Sequence, residues 1–147
     1  MKKFELTSET KINIFGKKLF RIKALVSFGV VKTGETGGWV EKEENVNQSG
    51  NAWVFGNAEV SDNARVFDNA RVFGNADYAT IHGFGTQFRT TTFFRCKDKQ
   101  VKVSCGCFYG TIPEFREQVK NTRKGKIAEE YLMIADLMEK HFAEEAK

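Results

Sequence analysis

No stretch of this chain approaches the ~20 consecutive apolar residues that a membrane-spanning helix requires, so no contact with a bilayer is expected. The residues from Met1 to Thr7 include two lysines but no apolar run follows them, which argues against a secretory leader and for the cytoplasm. Cysteine is scarce and odd in number, three in all, which argues against a disulfide framework and for a reducing compartment. Histidine is scarcer still. His82 and His141 are the whole supply, which leaves few groups for general-base chemistry. A single proline and 41% hydrophobic residues in 147 positions fit one compact domain.

What the chain does have is a repeat. Four hexads, beginning at Val54, Val60, Val66 and Val72, obey one rule: Val, variable, Gly or Asp, Asn, Ala, charged. Degenerate copies flank them at Gln48–Trp53 and from Tyr78 onward. A period of six lies far from multiples of 3.6, and Gly-Asn or Asp-Asn recurring this often penalises a helix. The period instead predicts a parallel β-helix in which three hexads make one coil. Val54, Val60, Val66 and Val72 are expected to point inward, with Ala58, Ala64, Ala70 and Ala76 as the second inward slot. The Gly or Asp slot suits a corner, because these residues tolerate left-handed backbone. Residues 18 apart are expected to stack, Val54 on Val72, Asn57 on Asn75 and Asn51 on Asn69, with the asparagines forming amide ladders. The hexads resemble those of the left-handed β-helices of the hexapeptide-repeat superfamily, and the resemblance implies the left hand.

At most seven hexads fit between residues 42 and 83, little more than two coils. So short a prism needs caps and partners. Phe55, Phe67 and Phe73 occupy the outward slot after Val, with Trp53 preceding Phe55. Exposing a Phe forfeits roughly 1.5–3 kcal/mol. A covering is therefore expected, either from the terminal segments or from identical subunits, and a homo-oligomer with Trp53, Phe55, Phe67 and Phe73 at its interface is favoured.

The fold class expected is mainly β: a short left-handed parallel β-helix of about two coils with an N-terminal β cap and a C-terminal β-hairpin plus two α-helices. Residues 1–41 form the cap, 42–83 the repeat and 84–147 the C-terminal module. In the cap, Phe20, Ile22 and Ala24 alternate with Arg21 and Lys23, Gly34 to Gly38 reads as a turn, and Trp39 as a plug over the prism end. After the repeat, Thr90–Cys96 and Val101–Tyr109 read as two strands of a hairpin with a turn at Lys97–Gln100. Thr111 and Glu114 form a capping box at a helix start. A last helix carries Ile127, Tyr131, Ile134, Met138 and Phe142 on one buried stripe.

Between Thr86 and Lys126 ten basic residues face only Asp98, Glu114 and Glu117, an excess of seven positive charges (10 − 3). A solvated surface explains most such runs, and an anion contact is the sharper reading. Arg89, Thr90, Thr91, Thr92, Arg95, Lys97, Lys99 and Lys102 are the candidate binding residues, since hydroxyls flanked by guanidinium groups hold phosphate oxygens. Phe93, Phe94 and Tyr109 offer faces on which nucleic-acid bases stack, but no recognised nucleic-acid module accompanies them, so direct nucleic-acid binding is not favoured. Cys105 and Cys107, with Cys96 across the hairpin, fall one ligand short of structural zinc and lack its usual spacing. They read as core residues; no metal and no cofactor are expected.

The segments around Phe20–Leu25, Phe28–Gly29, Gly37–Glu41, the Asn-Ala repeats, Phe93–Asp98 and Val103–Thr111 resemble small hexapeptide-repeat proteins encoded by bacteriophages and prophages. That resemblance implies a trimer as the common assembly and a bacterial host cell as the setting. It carries no catalytic motif. The function expected is that of a non-enzymatic phage accessory binding protein, a stoichiometric inhibitor of a host defence component, acting on a host protein such as a CRISPR complex or sequestering a nucleotide signal. Two alternatives stand beside it. One is a hexapeptide-repeat acyltransferase with His82 as general base in a subunit groove; the other is a structural or virion-associated protein.

Overall fold

The computed structural model describes residues 2–96, 99–106 and 108–143. Strands β1 (Phe4–Ile12) and β2 (Lys18–Ala24) form an antiparallel hairpin, and β3 (Thr36–Val40) pairs with the other edge of β2. Strict alternation along β2 fails: Leu19, Ile22 and Ala24 are buried, whereas Phe20 is half-buried with the Lys18 ammonium 5.4 Å from its ring. Both partners of β2 are out of regular register, β1 between Leu6 and Thr10 and β3 between Thr36 and Trp39, and such bulges re-aim side chains. The predicted turn at Gly34 to Gly38 also shifts. Gly37 and Gly38 lie inside β3, where together they oppose the single residue Ile22.

The repeats come next, with β4 (Trp53–Val54), β5 (Glu59–Val60) and β6 (Arg71–Val72) as their paired segments. Three parallel pairs join them: Val40 to Val60, Val46 to Val66 and Val54 to Val72. Each pair thus sets one stretch of chain, the lower rung, beside a stretch 18 to 20 residues later. The last pair has the expected offset of 18 residues (72 − 54). The other two are offset by 20 (60 − 40 and 66 − 46), because the lower rung there is built from β3 and a 3₁₀ turn, Glu43–Asn45, rather than from hexads. Asn45 makes that turn affordable. It is fully buried, accepts from the backbone N–H groups of Glu41 and Lys42, and donates to the carbonyls of Asp62 and Ala64, so all its bonding capacity is met.

The slot rules hold over most of the repeat. Val54, Val60, Val66 and Val72 are wholly buried, and Ala58, Ala64 and Ala70 are at most 2% exposed. The corner slot is left-handed at Gly56, Asp62 and Asp68, with φ between 56° and 58°. The rules stop at Val72. Ala76 is exposed rather than inward, and Gly74 is extended. The Asp77 carboxylate accepts from the backbone N–H groups of Phe73 and Gly74, closing a 3₁₀ turn (Asn75–Asp77) that leads the chain away. The Asn51–Asn69 amide pair does not form either: Asn69 Oδ1 is buried without a partner.

Residues read as the final hexad belong instead to a second sheet. It contains β7 (Tyr78–Phe84), β8 (Arg89–Arg95), β9 (Val101–Cys105) and β10 (Phe108–Thr111), all antiparallel in the order β10-β9-β8-β7. The single strand expected from Val101 to Tyr109 is therefore two, broken at Gly106, whose φ of 59° marks the turn. Helices α1 (Ile112–Thr122) and α2 (Gly125–Phe142) follow. The capping box is present as expected: Thr111 Oγ1 accepts from Glu114 N, and Glu114 Oε1 accepts from Thr111 N. The α2 stripe buries Tyr131, Ile134, Met138 and Phe142, while Ile127 is half-buried.

The second sheet separates two cores. Phe94 and Cys96 pack with the repeat valines and alanines, while Phe93 and Val103 pack with the two helices. Among the described residues no helix is long and apolar enough to cross a membrane.

Candidate functional site

Strand pairing determines which side chains share the face of the second sheet that looks toward the repeats. His82 lies opposite Thr90, and Thr92 lies opposite Ser104. Opposed residues of an antiparallel pair project to one side. That side meets the corner of the repeat at Asn63 and Arg65, where the backbone N–H of Arg65 donates to Thr92 Oγ1 at 3.1 Å. The space left between sheet and corner is a cleft of about 350 Å³, lined by Asn63, Arg65, His82, Phe88, Arg89, Thr90, Thr92, Ser104 and Gly106. Two guanidinium groups, an imidazole, three hydroxyls and an amide surround it, and among the described residues no carboxylate does.

Arg89 is positioned rather than free. Its Nη2 donates to Gln87 Oε1 at 2.6 Å, and its guanidinium lies so close over Gly106 that a Cβ there would overlap Nη1. The glycine thus serves twice, giving the β9–β10 turn its left-handed residue and leaving room for the arginine. His82 Nδ1 and Thr90 Oγ1 are 2.8 Å apart. Thr92 and Ser104 are buried on the cleft floor.

The expected binding residues do not all gather here. Thr91 points to the other side of β8, where its hydroxyl donates to Cys105 Sγ at 3.2 Å. Arg95 sits at the far end of the strand, held by Asp77 at 3.3 Å, by the carbonyl of Phe142 and by the face of the Phe142 ring. Lys102 is committed as well. Its ammonium and the Tyr109 hydroxyl both donate to Asp68 Oδ2 at 2.8 Å, clasping the hairpin to a repeat corner. Those two bonds hold the Asp68 carboxyl below the usual carboxylate range, and the same pairing raises Lys102 above the usual ammonium range. Burial, with Asp68 beside it, pushes the Tyr109 phenol up to about 12. Lys99 is exposed with φ of 66°, and Lys97 lies outside the described residues. Of the residues expected along one surface from Arg89 to Lys102, Arg89, Thr90 and Thr92 line the cleft, while Arg95 and Lys102 are tied to carboxylates within the chain.

The interface residues divide too. Trp53 is wholly buried, its ring edge-on to Phe4 at 5.8 Å and Phe28 at 5.3 Å, so it carries no surface of the folded chain. Phe67 stacks on Tyr109 at 5.8 Å and is covered from within. Phe55 and Phe73 do share one side, stacked at 4.4 Å, and Phe73 remains 60% exposed. Trp39 is buried, with Lys11 and Arg21 each under 5 Å from its ring.

Cys96 and Cys105 belong to different cores, on opposite sides of the sheet, and Cys107 lies outside the described residues. Among the described residues no three His, Cys, Asp or Glu side chains gather as a metal would need.

Sequence reasoning missed Asn63, Arg65, Phe88, Ser104 and Gly106. Arg65 had a signal, as the charged sixth slot of its hexad, but only the packing of the appended sheet tells which outward slot meets a partner. No protein-family model and no curated protein matches the chain, so its function is read from the cleft itself.

Proposed function

We propose that the chain is a non-enzymatic binding protein whose cleft captures a small phosphorylated anion. The observation that carries this is that Arg65 and Arg89 both line one cleft that has hydroxyl donors and, among the described residues, no carboxylate. Arginine forks match phosphate oxygens, and hydroxyls complete the shell. Of the two modes of host-defence inhibition expected from the resemblance to phage proteins, sequestering a phosphorylated signal is favoured over contact with a host protein, since Arg95 and Lys102 are occupied within the chain. The three-sided winding of Val40, Val46 and Val54 beneath Val60, Val66 and Val72 is read as two coils of a left-handed β-helix of the hexapeptide-repeat kind. A right-handed path in an experimental density map would overturn that reading.

Titration calorimetry with inorganic tripolyphosphate tests the capture. Binding is expected, and Arg65→Gln and Arg89→Gln are each expected to weaken it by about tenfold or more, the worth of a charge-assisted hydrogen bond. Charge reversal at Lys120, remote from the cleft lining, leaves it unchanged. Equal affinity for all four proteins would remove the proposal.

His82 favours a second reading, because an imidazole paired with a hydroxyl in a cleft is also the start of acyl-transfer chemistry. Under that reading acetyl-coenzyme A is consumed in the presence of an amine acceptor, and His82→Ala stops the consumption. Binding without turnover supports capture alone.

The stacked pair Phe55 and Phe73 supports assembly of identical copies, a trimer by the resemblance. Light scattering is expected to give a multiple of the 16.7 kDa chain, with Phe73→Ser shifting the mass toward one chain. A monomer for the unsubstituted protein would end the oligomer reading.

A further inference from the structure

Phe88 is unlike the other residues of the cleft. Its ring is 66% exposed, although it lines a cavity otherwise made of polar groups and glycine. Its backbone is left-handed, φ 51°, a region that bulky residues rarely occupy. Both features are unfavourable for the isolated chain, and both sit on one residue of a four-residue turn between β7 and β8. The next residue is Arg89, fixed by Gln87 on one side and seated on Gly106 on the other. Backbone outliers that the surroundings hold in place cluster at ligand sites, where they aim a side chain. Here the aimed group is a flat apolar face beside an arginine fork.

The anion-capture reading accounts for the arginines and hydroxyls but not for this ring. We propose that the ligand is a nucleoside phosphate, with its phosphate on Arg65 and Arg89 and its base on the face of Phe88. The inference rests on the anion-capture reading and adds the ligand class to it. A base supplies the apolar plane that an exposed phenyl ring lacks, and stacking of this kind tolerates any base because every base has a π-face. A sugar adds hydroxyls, for which Asn63, Thr90 and Ser104 offer partners at the cleft wall and floor. The volume, about 350 Å³, lies at the small end of ligand sites and suits one nucleotide rather than a strand.

The test compares ligands of like charge on the full chain. Adenosine, guanosine, cytidine and uridine triphosphates are titrated beside inorganic tripolyphosphate, with Phe88→Ala as the variant; Phe88 lies outside both hydrophobic cores, so the variant is expected to fold, which circular dichroism checks. At least one nucleotide is expected to bind about tenfold or more tightly than tripolyphosphate, and Phe88→Ala is expected to erase that margin. Tripolyphosphate binding as tightly as every nucleotide would overturn this inference and leave anion capture standing. Failure of every polyphosphate, with or without a base, would overturn both. A nucleotide margin that survives Phe88→Ala would overturn the stacking, and affinity that appears only with oligonucleotides would overturn the single-nucleotide ligand.

Discussion

Gly37→Ala is expected to destabilise the protein by about 3 kcal/mol, the upper range for overpacking a filled core. A Cβ on Gly37 would lie 2.6 Å from Cζ2 of Trp53 and 2.7 Å from both Trp53 Cε2 and Ile22 Cγ1. None of these atoms ends a flexible side chain. The indole is wedged between Phe4 and Phe28, and Ile22 is the residue that β3 bulges around. Gly38 presents a second bare surface, where a Cβ would be 2.6 Å from Val54 Cγ1 and from the carbonyl of Ala58. The glycine pair is thus a floor on which Trp53 and Val54 close, joining the N-terminal sheet to the repeat. Thermal unfolding is expected to shift down by about 10 °C for a loss of this size. Trp53→Phe, which shortens the ring, should rescue part of the loss, so that the double variant is less destabilised than the sum of the two singles. A Gly37→Ala protein as stable as the parent, or strict additivity with Trp53→Phe, would show that the contact does not constrain β3.

The contrast between that glycine floor and the hexads marks how far the sequence could be read. Inward Val and Ala slots and left-handed Gly56, Asp62 and Asp68 were legible because each follows from a local rule repeated every six residues. The Thr111–Glu114 box and the α2 stripe were legible for the same reason: both are written within a few turns of chain. Gly37 and Gly38 instead looked like a turn, because what keeps them in a strand is a tryptophan that arrives sixteen residues later (53 − 37). The end of the repeat was equally hidden. Asp77 satisfies the charged sixth slot as well as any hexad does, yet its carboxylate turns back onto Phe73 and Gly74. At the cleft, the run of basic residues pointed toward anions but not to which of them are paired with carboxylates inside the chain. Arg95 and Lys102 find Asp77 and Asp68 across the fold, while Arg89 and Arg65 line one cleft from different layers. Charge counts are local; the pairing that neutralises some charges and concentrates others is tertiary.

Lys3 gives the protein an unusual response to pH. Its side chain is buried, with Nζ donating to the carbonyls of Ala52 at 2.8 Å and Gly50 at 3.3 Å and lying 4.6 Å from the centre of the Phe28 ring. Carbonyls and a ring face favour a cation, but no carboxylate is among these partners, and burial depresses its pKa from the ordinary 10.5 to about 8. Unfolding returns the ammonium to water, where it keeps its proton up to the ordinary value. Between pH 8 and 10.5 the unfolded chain therefore binds more protons at this site than the folded one, so stability rises with pH across that window. Below pH 8 the folded protein bears the full cost of the buried charge, about 3 kcal/mol, and by pH 10 most of it is gone. The phenols of Tyr78, Tyr109 and Tyr131 act in the opposite sense. Burial raises all three, so the folded state holds their protons longer and loses stability only as pH climbs past the ordinary tyrosine value of 10. Urea unfolding under reducing conditions at pH 7, 8, 9 and 10, on the parent and on Lys3→Met, isolates the lysine, since every other group is common to both. The parent is expected to gain on the variant by roughly 2 kcal/mol from pH 8 to pH 10. Parallel curves would mean that Lys3 titrates at its ordinary value despite its burial, with the two carbonyls and the Phe28 ring offsetting the whole cost of desolvation.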